Sequence, residues 1–244
     1  KRYLIALPAS LFLLQLQAQR FSPAEIRSSE WKLLEVPTGI NMAMSYEFPY
    51  SFEKSVLYLN DHEAVVSVWH SAYGHALIRI DNEAKVKWQT AVPGYILGSA
   101  KWKNNVIVFY TKEWSYKEYG YKPLRHVSAI VFDIETGKKM QDKVVYSNES
   151  KKFVEPCIHS KPDGEFGQLL IRQTNYSGKG IKEKWASTAI SIIGLTDRLD
   201  PLFTHSLLSE ALKGEYLGSI MNGKGEIFVV TWSAKKVVVE KFDG

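Results

Sequence analysis

A pattern of four short apolar strands, repeated along the chain, constrains the fold more than any other feature of the sequence. The first set comprises β-branched or aromatic runs separated by turn-forming residues, at 56–59, 64–69, 75–80 and 85–92. The same order recurs at 96–102, 106–110, 127–132 and 139–146, and again at 153–159, 168–172, 188–193 and 201–207. Three further runs follow at 216–221, 227–232 and 236–242. The chain is therefore predicted to consist almost entirely of β-strands.

The spacing of these sets indicates how the strands assemble. The third strands of the first two sets end in Asp81 and Asp133, which are 52 residues apart. Repeats of this length built from four strands are typical of sheets arranged radially around an axis. The predicted fold is an all-β propeller of four-stranded blades, which cover residues 56–92, 96–147, 153–208 and 215–244.

The hairpin between the third and fourth strands of the second set carries a motif. Its turn at 133–138 reads DIETGK, and an earlier copy runs from Asp81 to Trp88. Both resemble the D-x-x-T/A-G/x-K-x-x-W repeat of the PQQ-like, or quinoprotein-like, β-propellers, a family that includes bacterial envelope proteins. The resemblance covers residues 56–244 and implies that the turn is structural and that Trp88 packs between neighbouring blades. The later copies deviate at the tryptophan position: Met140 or Gln141 stands near it in the second, and the third keeps only Thr196 and Asp197.

The N-terminal residues differ from the rest of the chain. Lys1 and Arg2 precede an apolar run at 4–16, and a polar stretch follows. This run is shorter than the roughly 20 apolar residues that a membrane-spanning helix needs. We therefore predict a cleaved signal peptide at 1–19, a linker at 20–30 and a propeller domain at 31–244, with no membrane span after cleavage. The expected location is the periplasm or the exterior of a bacterium.

The fourth set of strands lacks its last member within the sequence. One hypothesis is that the 244 residues are the first part of a larger propeller, with about seven or eight blades. The other is that a strand at 31–36 supplies the missing member and closes a ring of four blades. The incomplete propeller is the prediction that we favour.

Charge and cysteine content limit the classes of partner. Loss of Lys1 and Arg2 with the signal peptide would lower the net charge from +5 to +3, and the basic residues are scattered among 26 acidic ones. No nucleic-acid partner is therefore expected. Cys157 is the only cysteine and is predicted to be a buried, inert thiol. An exported chain without intrachain disulfides suits a bacterial envelope.

The motifs predict no catalytic, cofactor or metal site. The segment 218–225 resembles a phosphate-binding loop, but Gly225 replaces the Mg²⁺-binding hydroxyl and the segment lies between strands, so it is predicted to be a hairpin turn. The six histidines lack metal-binding spacing, and no quinone cofactor is expected. The competing hypothesis is an enzyme, either a polysaccharide lyase or glycosidase or a quinone-dependent dehydrogenase, with part of its active site beyond residue 244.

Two long connections between second and third strands are the best candidates for a functional surface. Residues 111–125 and 174–185 mix aromatic and basic side chains, and in a propeller such connections leave from one face together with the links between blades. Aromatic rings beside cations suit sugars, acidic polymers or protein hot spots; the alternative is that they only pin the loops onto the blades. The predicted partner-binding rim comprises Tyr73, Trp114, Tyr116, Tyr119, Tyr121, Lys122, Arg125, Tyr176, Lys179, Lys182 and Trp185. The sequence thus favours an exported, non-catalytic propeller that serves as a protein- or glycan-binding scaffold.

Overall fold

Antiparallel β-structure accounts for all regular elements that the structure describes. The computed structural model describes residues 56–70, 74–112, 116–117, 120–121, 124–149, 153–177, 184–208, 215–233 and 236–242. Within these ranges, no helix is long and apolar enough to span a bilayer. The predicted signal peptide, linker and strand at 31–36 lie outside the described residues.

Four sheets follow one another along the chain. Blade 1 contains β1 (Val56–Asn60), β2 (Glu63–His70), β3 (Gly74–Asp81) and β4 (Val86–Val92). Blade 2 contains β5 (Tyr95–Trp102), β6 (Asn105–Thr111), β9 (His126–Asp133) and β10 (Lys139–Ser147), with a small hairpin of β7 (Tyr116–Lys117) and β8 (Gly120–Tyr121) inserted between β6 and β9. Blade 3 contains β11 (Phe153–Ser160), β12 (Phe166–Ser177), β13 (Lys184–Leu195) and β14 (Pro201–Leu208). Blade 4 contains β15 (Glu215–Met221), β16 (Ile227–Ser233) and β17 (Lys236–Phe242).

Within each sheet, the strands pair with their neighbours in chain order. This meander, with four strands in each of blades 1 to 3 and three described strands in blade 4, is the organisation of a propeller blade. The prediction of an all-β fold with propeller blades is therefore confirmed, and the sets of strands agree with those read from the sequence.

Apolar side chains are buried where one blade faces the next. In β9, Ile130 and Phe132 pack in the cluster between blades 1 and 2, whereas Ala129 and Val131 pack in the cluster between blades 2 and 3. Successive side chains of a strand point to opposite faces of the sheet, so both faces of blade 2 are covered. This explains why the sequence of β9 is an unbroken apolar run. A third cluster, which includes Ile190 and other buried residues, joins blades 3 and 4.

Trp88 forms the contact between blades 1 and 2 that the family resemblance implies. Its side chain is buried, and its indole Nε1 donates a hydrogen bond to the carbonyl oxygen of Ile134 in blade 2, at 2.9 Å. Gly137 lies against the ring with a φ of +67°, and a Cβ atom there would approach the indole to 2.7 Å. Glycine is needed here both for the left-handed backbone and for the close approach.

The strand register identifies the residues that replace Trp88 in the later blades. The partner of Trp88 in the neighbouring strand lies a fixed distance before the turn of blade 1. The partners of Gln141 in blade 2 and of Phe203 in blade 3 lie at the same distance before the turns of their own blades. Gln141, and not its neighbour Met140, therefore occupies the position, and its side-chain amide donates to the carbonyl oxygen of Asp197 at 3.1 Å. Phe203 packs against the cluster between blades 3 and 4. The contact between blades persists although the tryptophan does not.

The predicted extents of the two long connections are wrong in part. In blade 3, β12 continues to Ser177 and β13 begins at Lys184, so the connection between them is confined to 178–183. In blade 2, Thr111 belongs to β6, and the connection contains the hairpin of β7 and β8. In both cases cross-strand pairing extends the hairpin beyond the apolar run from which the strand was predicted.

Candidate functional site

The connections between strands leave the sheets at two opposite faces. We call one the loop face; it comprises the links at 71–73, 93–94, 112–125, 148–152, 178–183, 209–214 and 234–235. We call the other the turn face; it comprises the tight turns at 61–62, 82–85, 103–104, 134–138, 161–165, 196–200 and 222–226. Consecutive connections of an antiparallel meander alternate between the two ends of its strands. The two faces can therefore carry different chemistry.

On the turn face, aspartates hold the turns in place. Asp81 accepts hydrogen bonds at Oδ1 from the backbone amides of Lys85 and Glu83, at 2.9 and 3.0 Å. Asp133 accepts at Oδ1 from the hydroxyl of Thr136 at 2.7 Å and from its amide at 2.8 Å. These bonds favour the ionised form and lower the pKa of both carboxyls. The turn motif that resembles the propeller repeat is therefore structural, as expected.

Arg79 links the turn face of blade 2 to blade 1. The side chain is buried, and its Nη1 donates to the carbonyl oxygen of Ile134 at 2.6 Å and to Glu135 at 2.9 Å, while Nη2 donates to Glu63 at 2.7 Å. Burial opposes the charge of Arg79, but the hydrogen bonds that the guanidinium donates to Glu135 and Glu63 outweigh this effect and raise its pKa. The hydrogen bond from Arg79 likewise lowers the pKa of Glu63. This charged group joins two blades and is not open to a ligand.

Blades 2 and 3 are joined on the same face by a second group of polar contacts. The Lys103 Nζ atom lies 2.7 Å from Asp197, and the Lys103 backbone amide donates to Glu165 at 2.6 Å. Lys143 of β10 pairs with Asp200 of the following blade. These charged groups of the turn face are thus engaged in contacts between blades 2 and 3.

The loop face is anchored at the base of the blade 2 connection. Asn148 is buried. Its backbone amide donates to the carbonyl oxygen of Arg125 at 2.7 Å, and its side-chain amide donates to the carbonyl oxygen of Leu124 at 3.1 Å. The side chain of Gln173 in blade 3 donates to the Tyr146 hydroxyl at 2.9 Å. These contacts place the end of the long connection beside the link to blade 3, as the predicted loop face requires.

The predicted rim residues fall into three groups. Tyr116 and Tyr121 lie in β7 and β8, where the register sets them opposite each other, and Tyr176 and Trp185 lie opposite each other in β12 and β13. Arg125 is exposed immediately before β9. The remaining predicted residues lie outside the described residues: Tyr73, Trp114, Tyr119, Lys122, Lys179 and Lys182.

A polar cluster between blades 3 and 4 was not predicted from the sequence. His159 of β11 is buried, with Nε2 2.9 Å from the Ser219 hydroxyl, which lies 2.6 Å from the Tyr216 hydroxyl. The Arg172 guanidinium lies 4.8 Å from the centre of the Tyr216 ring and pairs with Glu155. Burial raises the pKa of Tyr216. The cluster provides a hydrogen-bonded connection between the first strands of two blades.

A period of two along β11 is the signal that could have revealed this cluster. Glu155, Cys157 and His159 occupy alternate positions of the strand and therefore share one face. Cys157 is partly buried and packs against the apolar cluster between blades 3 and 4. Within the described ranges, no three His, Cys, Asp or Glu side chains come together as a possible metal site.

Tyr110 forms a further buried polar contact, in blade 2. Its hydroxyl donates to Asp142 at 2.7 Å. Burial, reinforced by this hydrogen bond, raises the pKa of Tyr110 to about 12. The hydroxyl therefore remains protonated at neutral pH and acts as a donor that ties β6 to β10.

The segment that resembles a phosphate loop is a turn. The Asn222 amide donates to the carbonyl oxygen of Glu226, and the Gly225 amide donates to that of Asn222, each at 3.0 Å. Gly225 has a φ of +84°, as a hairpin with a left-handed residue requires. The prediction of a hairpin turn is confirmed.

Comparisons with known proteins give no sequence relative. No family model and no curated protein matches the chain. Solved structures that are similar include a mutant apocarotenoid oxygenase from Synechocystis, with a TM-score of 0.37 and 10% identity over 74% of this chain. The aligned region spans 46% of that oxygenase. BamB from Moraxella catarrhalis is similar with a TM-score of 0.23 and 12% identity, over 80% of this chain and 75% of BamB. The fold assignment given above depends on strand order and register.

Proposed function

We propose that this protein is an exported, non-catalytic scaffold that binds a protein or a glycan through its loop face. The observation that carries the proposal is that blades 2 and 3 both extend their second connection as a hairpin on this face. In each hairpin, the register sets two aromatic residues opposite each other: Tyr116 with Tyr121, and Tyr176 with Trp185. Aromatic residues on hairpins suit stacking against sugar rings or the centre of a protein interface.

The contrast between the two faces supports this assignment. Side chains such as Arg79, Asp133 and Asp197 on the turn face are engaged in turns and in contacts between blades. On the loop face, the connection at 112–125 in blade 2 is longer than is needed to join two strands, and long connections on a rigid framework often carry function. Asn148 fixes the base of one of them, so the hairpin would be presented in a defined position.

Export is part of the same proposal. The basic start, the apolar run at 4–16 and the polar stretch after it support a signal peptide at 1–19. A partner would then be met in the periplasm or at the exterior of a bacterial cell. Envelope glycans and envelope proteins are the classes of ligand available there.

Replacing Trp114 and Tyr121 together with alanine should weaken binding at least about tenfold, because an aromatic anchor contributes about 2 kcal/mol or more. Binding is measured on an array of defined bacterial polysaccharides, and for a protein partner as the yield of a photo-crosslinked product. The melting temperature should stay within about 2 °C of the original, since the proposal assigns both side chains to the binding surface and not to the apolar clusters between blades.

A matched control is Leu202→Ala, which removes a side chain that is 66% exposed on the outer strand of blade 3. It should change neither binding nor melting temperature. If the double variant binds normally, or if it mainly lowers the melting temperature, the loops serve packing and the loop face is not the binding surface.

A further inference from the structure

His75 occupies the loop-face end of the interface between blades 1 and 2. It shares one face of β3 with Leu77 and Arg79, because alternate residues of a strand point to the same side. Leu77 is buried in the apolar cluster between the two blades. Arg79 at one end of this row and His75 at the other each form a hydrogen bond with the backbone of blade 2. The interface is therefore held by a polar contact at both of its ends.

The contact of His75 requires a neutral imidazole ring. Its Nδ1 atom accepts a hydrogen bond from the backbone amide of Ile96 in β5, at 3.3 Å. A ring nitrogen accepts only when it carries no proton, so the proton of the neutral ring must be on Nε2. The ring also contacts Tyr95 in a T-shaped arrangement, with 5.5 Å between the ring centres. Protonation of Nδ1 would remove the acceptor and set two N–H groups against each other at a partly buried position.

The residues that His75 contacts also form the base of the long connection in blade 2. Tyr95 pairs in register with Thr111, the last residue of β6, after which the connection at 112–125 begins. The link at 93–94 packs against the same point, since a Cβ atom at Gly94 would approach the carbonyl oxygen of Thr111 to 2.3 Å. A change in the contact of His75 with β5 would therefore act on the base of this connection.

Tyrosines of blade 2 are the titratable residues that face His75 within the described part of the chain. They are Tyr95 and Tyr110, and Tyr110 is uncharged because its pKa is about 12 and its hydroxyl is bound to Asp142. The residues that flank His75 in β2 and β4 do not ionise. In blade 1, the charged Arg79 lies four residues away, about 13 Å along the strand. Burial lowers the pKa of His75 from its ordinary value of 6.5.

We propose that His75 is an acid-sensitive contact, which joins the loop-face ends of blades 1 and 2 while the ring is neutral and releases the base of the 112–125 connection when it is protonated. The folded state favours the neutral ring more than the unfolded chain does. The stabilising contribution is therefore complete above about pH 6.5 and is lost as the pH falls from there towards the lower pKa of the folded state. Arg79 keeps its charge throughout this range, so the turn-face end of the interface does not respond. The inference goes beyond the proposed binding function and does not depend on it.

Two-bond ¹H–¹⁵N NMR spectra of the histidine rings test the protonation directly on the full chain. Between about pH 8 and about pH 5, His75 should show an unprotonated Nδ1 at the start and should titrate with a midpoint below 6.5. A ring whose Nδ1 carries the proton at neutral pH, or whose midpoint lies at 6.5 or above, would overturn the proposal.

Amide spectra and hydrogen exchange show whether the ring controls the base of the connection. The amide shifts of Gly94 and Thr111 should follow the midpoint of His75. The protection of the Ile96 amide, corrected for the intrinsic effect of pH, should fall about fivefold or more between about pH 7 and about pH 5. His75→Asn should show no such fall, because its Oδ1 can accept from Ile96 and does not ionise.

His62→Asn, at an exposed residue of the turn face, is the matched control and should behave like the original protein. Protection of Ile96 that stays constant in the original protein, or that falls equally in His75→Asn, would show that His75 is not the acid-sensitive contact. Amide shifts of Gly94 and Thr111 that do not follow the His75 midpoint would equally contradict release of the connection.

Discussion

Replacing Trp88 with alanine should lower the free energy of unfolding by about 3–5 kcal/mol. The indole fills the space between blades 1 and 2, is 8% exposed, and donates to the carbonyl oxygen of Ile134. The substitution leaves a cavity in the cluster that contains Leu77 and Phe132. Urea unfolding followed by circular dichroism gives the free energy.

Trp88→Phe is the matched control for the indole. It retains most of the ring volume but loses the hydrogen bond, so it should cost only about 1–2 kcal/mol. The carbonyl oxygen of Ile134 would still accept from Arg79, which lies 2.6 Å away. A loss below about 1 kcal/mol for the alanine variant would show that Trp88 does not join the blades.

Replacing Arg79 with methionine should also cost about 3 kcal/mol or more. The side chain of Glu63 is 20% exposed, and it would lose the guanidinium that compensates its charge. Glu135, which is 72% exposed, can be rehydrated and should contribute little to the loss. Adding Glu63→Gln should recover part of the stability, because an uncharged amide replaces the isolated carboxylate. Val131 occupies the matching position of blade 2, so an apolar side chain is compatible with this site in the blade.

The ion pair between Arg79 and Glu63 also predicts that the free energy of unfolding depends on pH. Arg79 lowers the pKa of Glu63 from its ordinary value of 4.5, so the pair stabilises the protein fully above that value and loses this contribution as the pH falls towards the folded pKa. The difference in unfolding free energy between the original protein and Arg79→Met should therefore shrink between about pH 7 and about pH 3. An unchanged difference over this range would exclude the ion pair as the cause.

The sequence was sufficient to predict the blades because their signals are local. Apolar runs such as the one at 129–132 and turn residues such as Gly137 fix strands and turns from neighbouring residues alone. The role of Trp88 followed from the family resemblance, and the structure confirms it. Tertiary contacts were needed for the rest.

Three features depended on contacts that no local pattern reveals. Phe203 takes the tryptophan position of blade 3 only because the register brings it there. The turn before it contains Leu199 with a φ of +60°, where a glycine would have been the expected signal. The extension of β12 and β13 through Tyr176 and Trp185 depends on pairing between strands, which overrides the turn-forming residues nearby. Of the predicted rim residues, the structure describes the four in the two hairpins and Arg125; the others lie outside the described residues.

Site-specific photo-crosslinking in bacterial cells tests most directly whether partners bind the loop face. A photoreactive amino acid is placed at Tyr121 or Tyr176 on the loop face, and at Lys138 or Lys224 on the turn face, where both lysines are exposed. Crosslinked products at the two loop-face positions, and none at the two turn-face positions, are the predicted result. Products at the turn-face positions alone, or at none of the four, would contradict it.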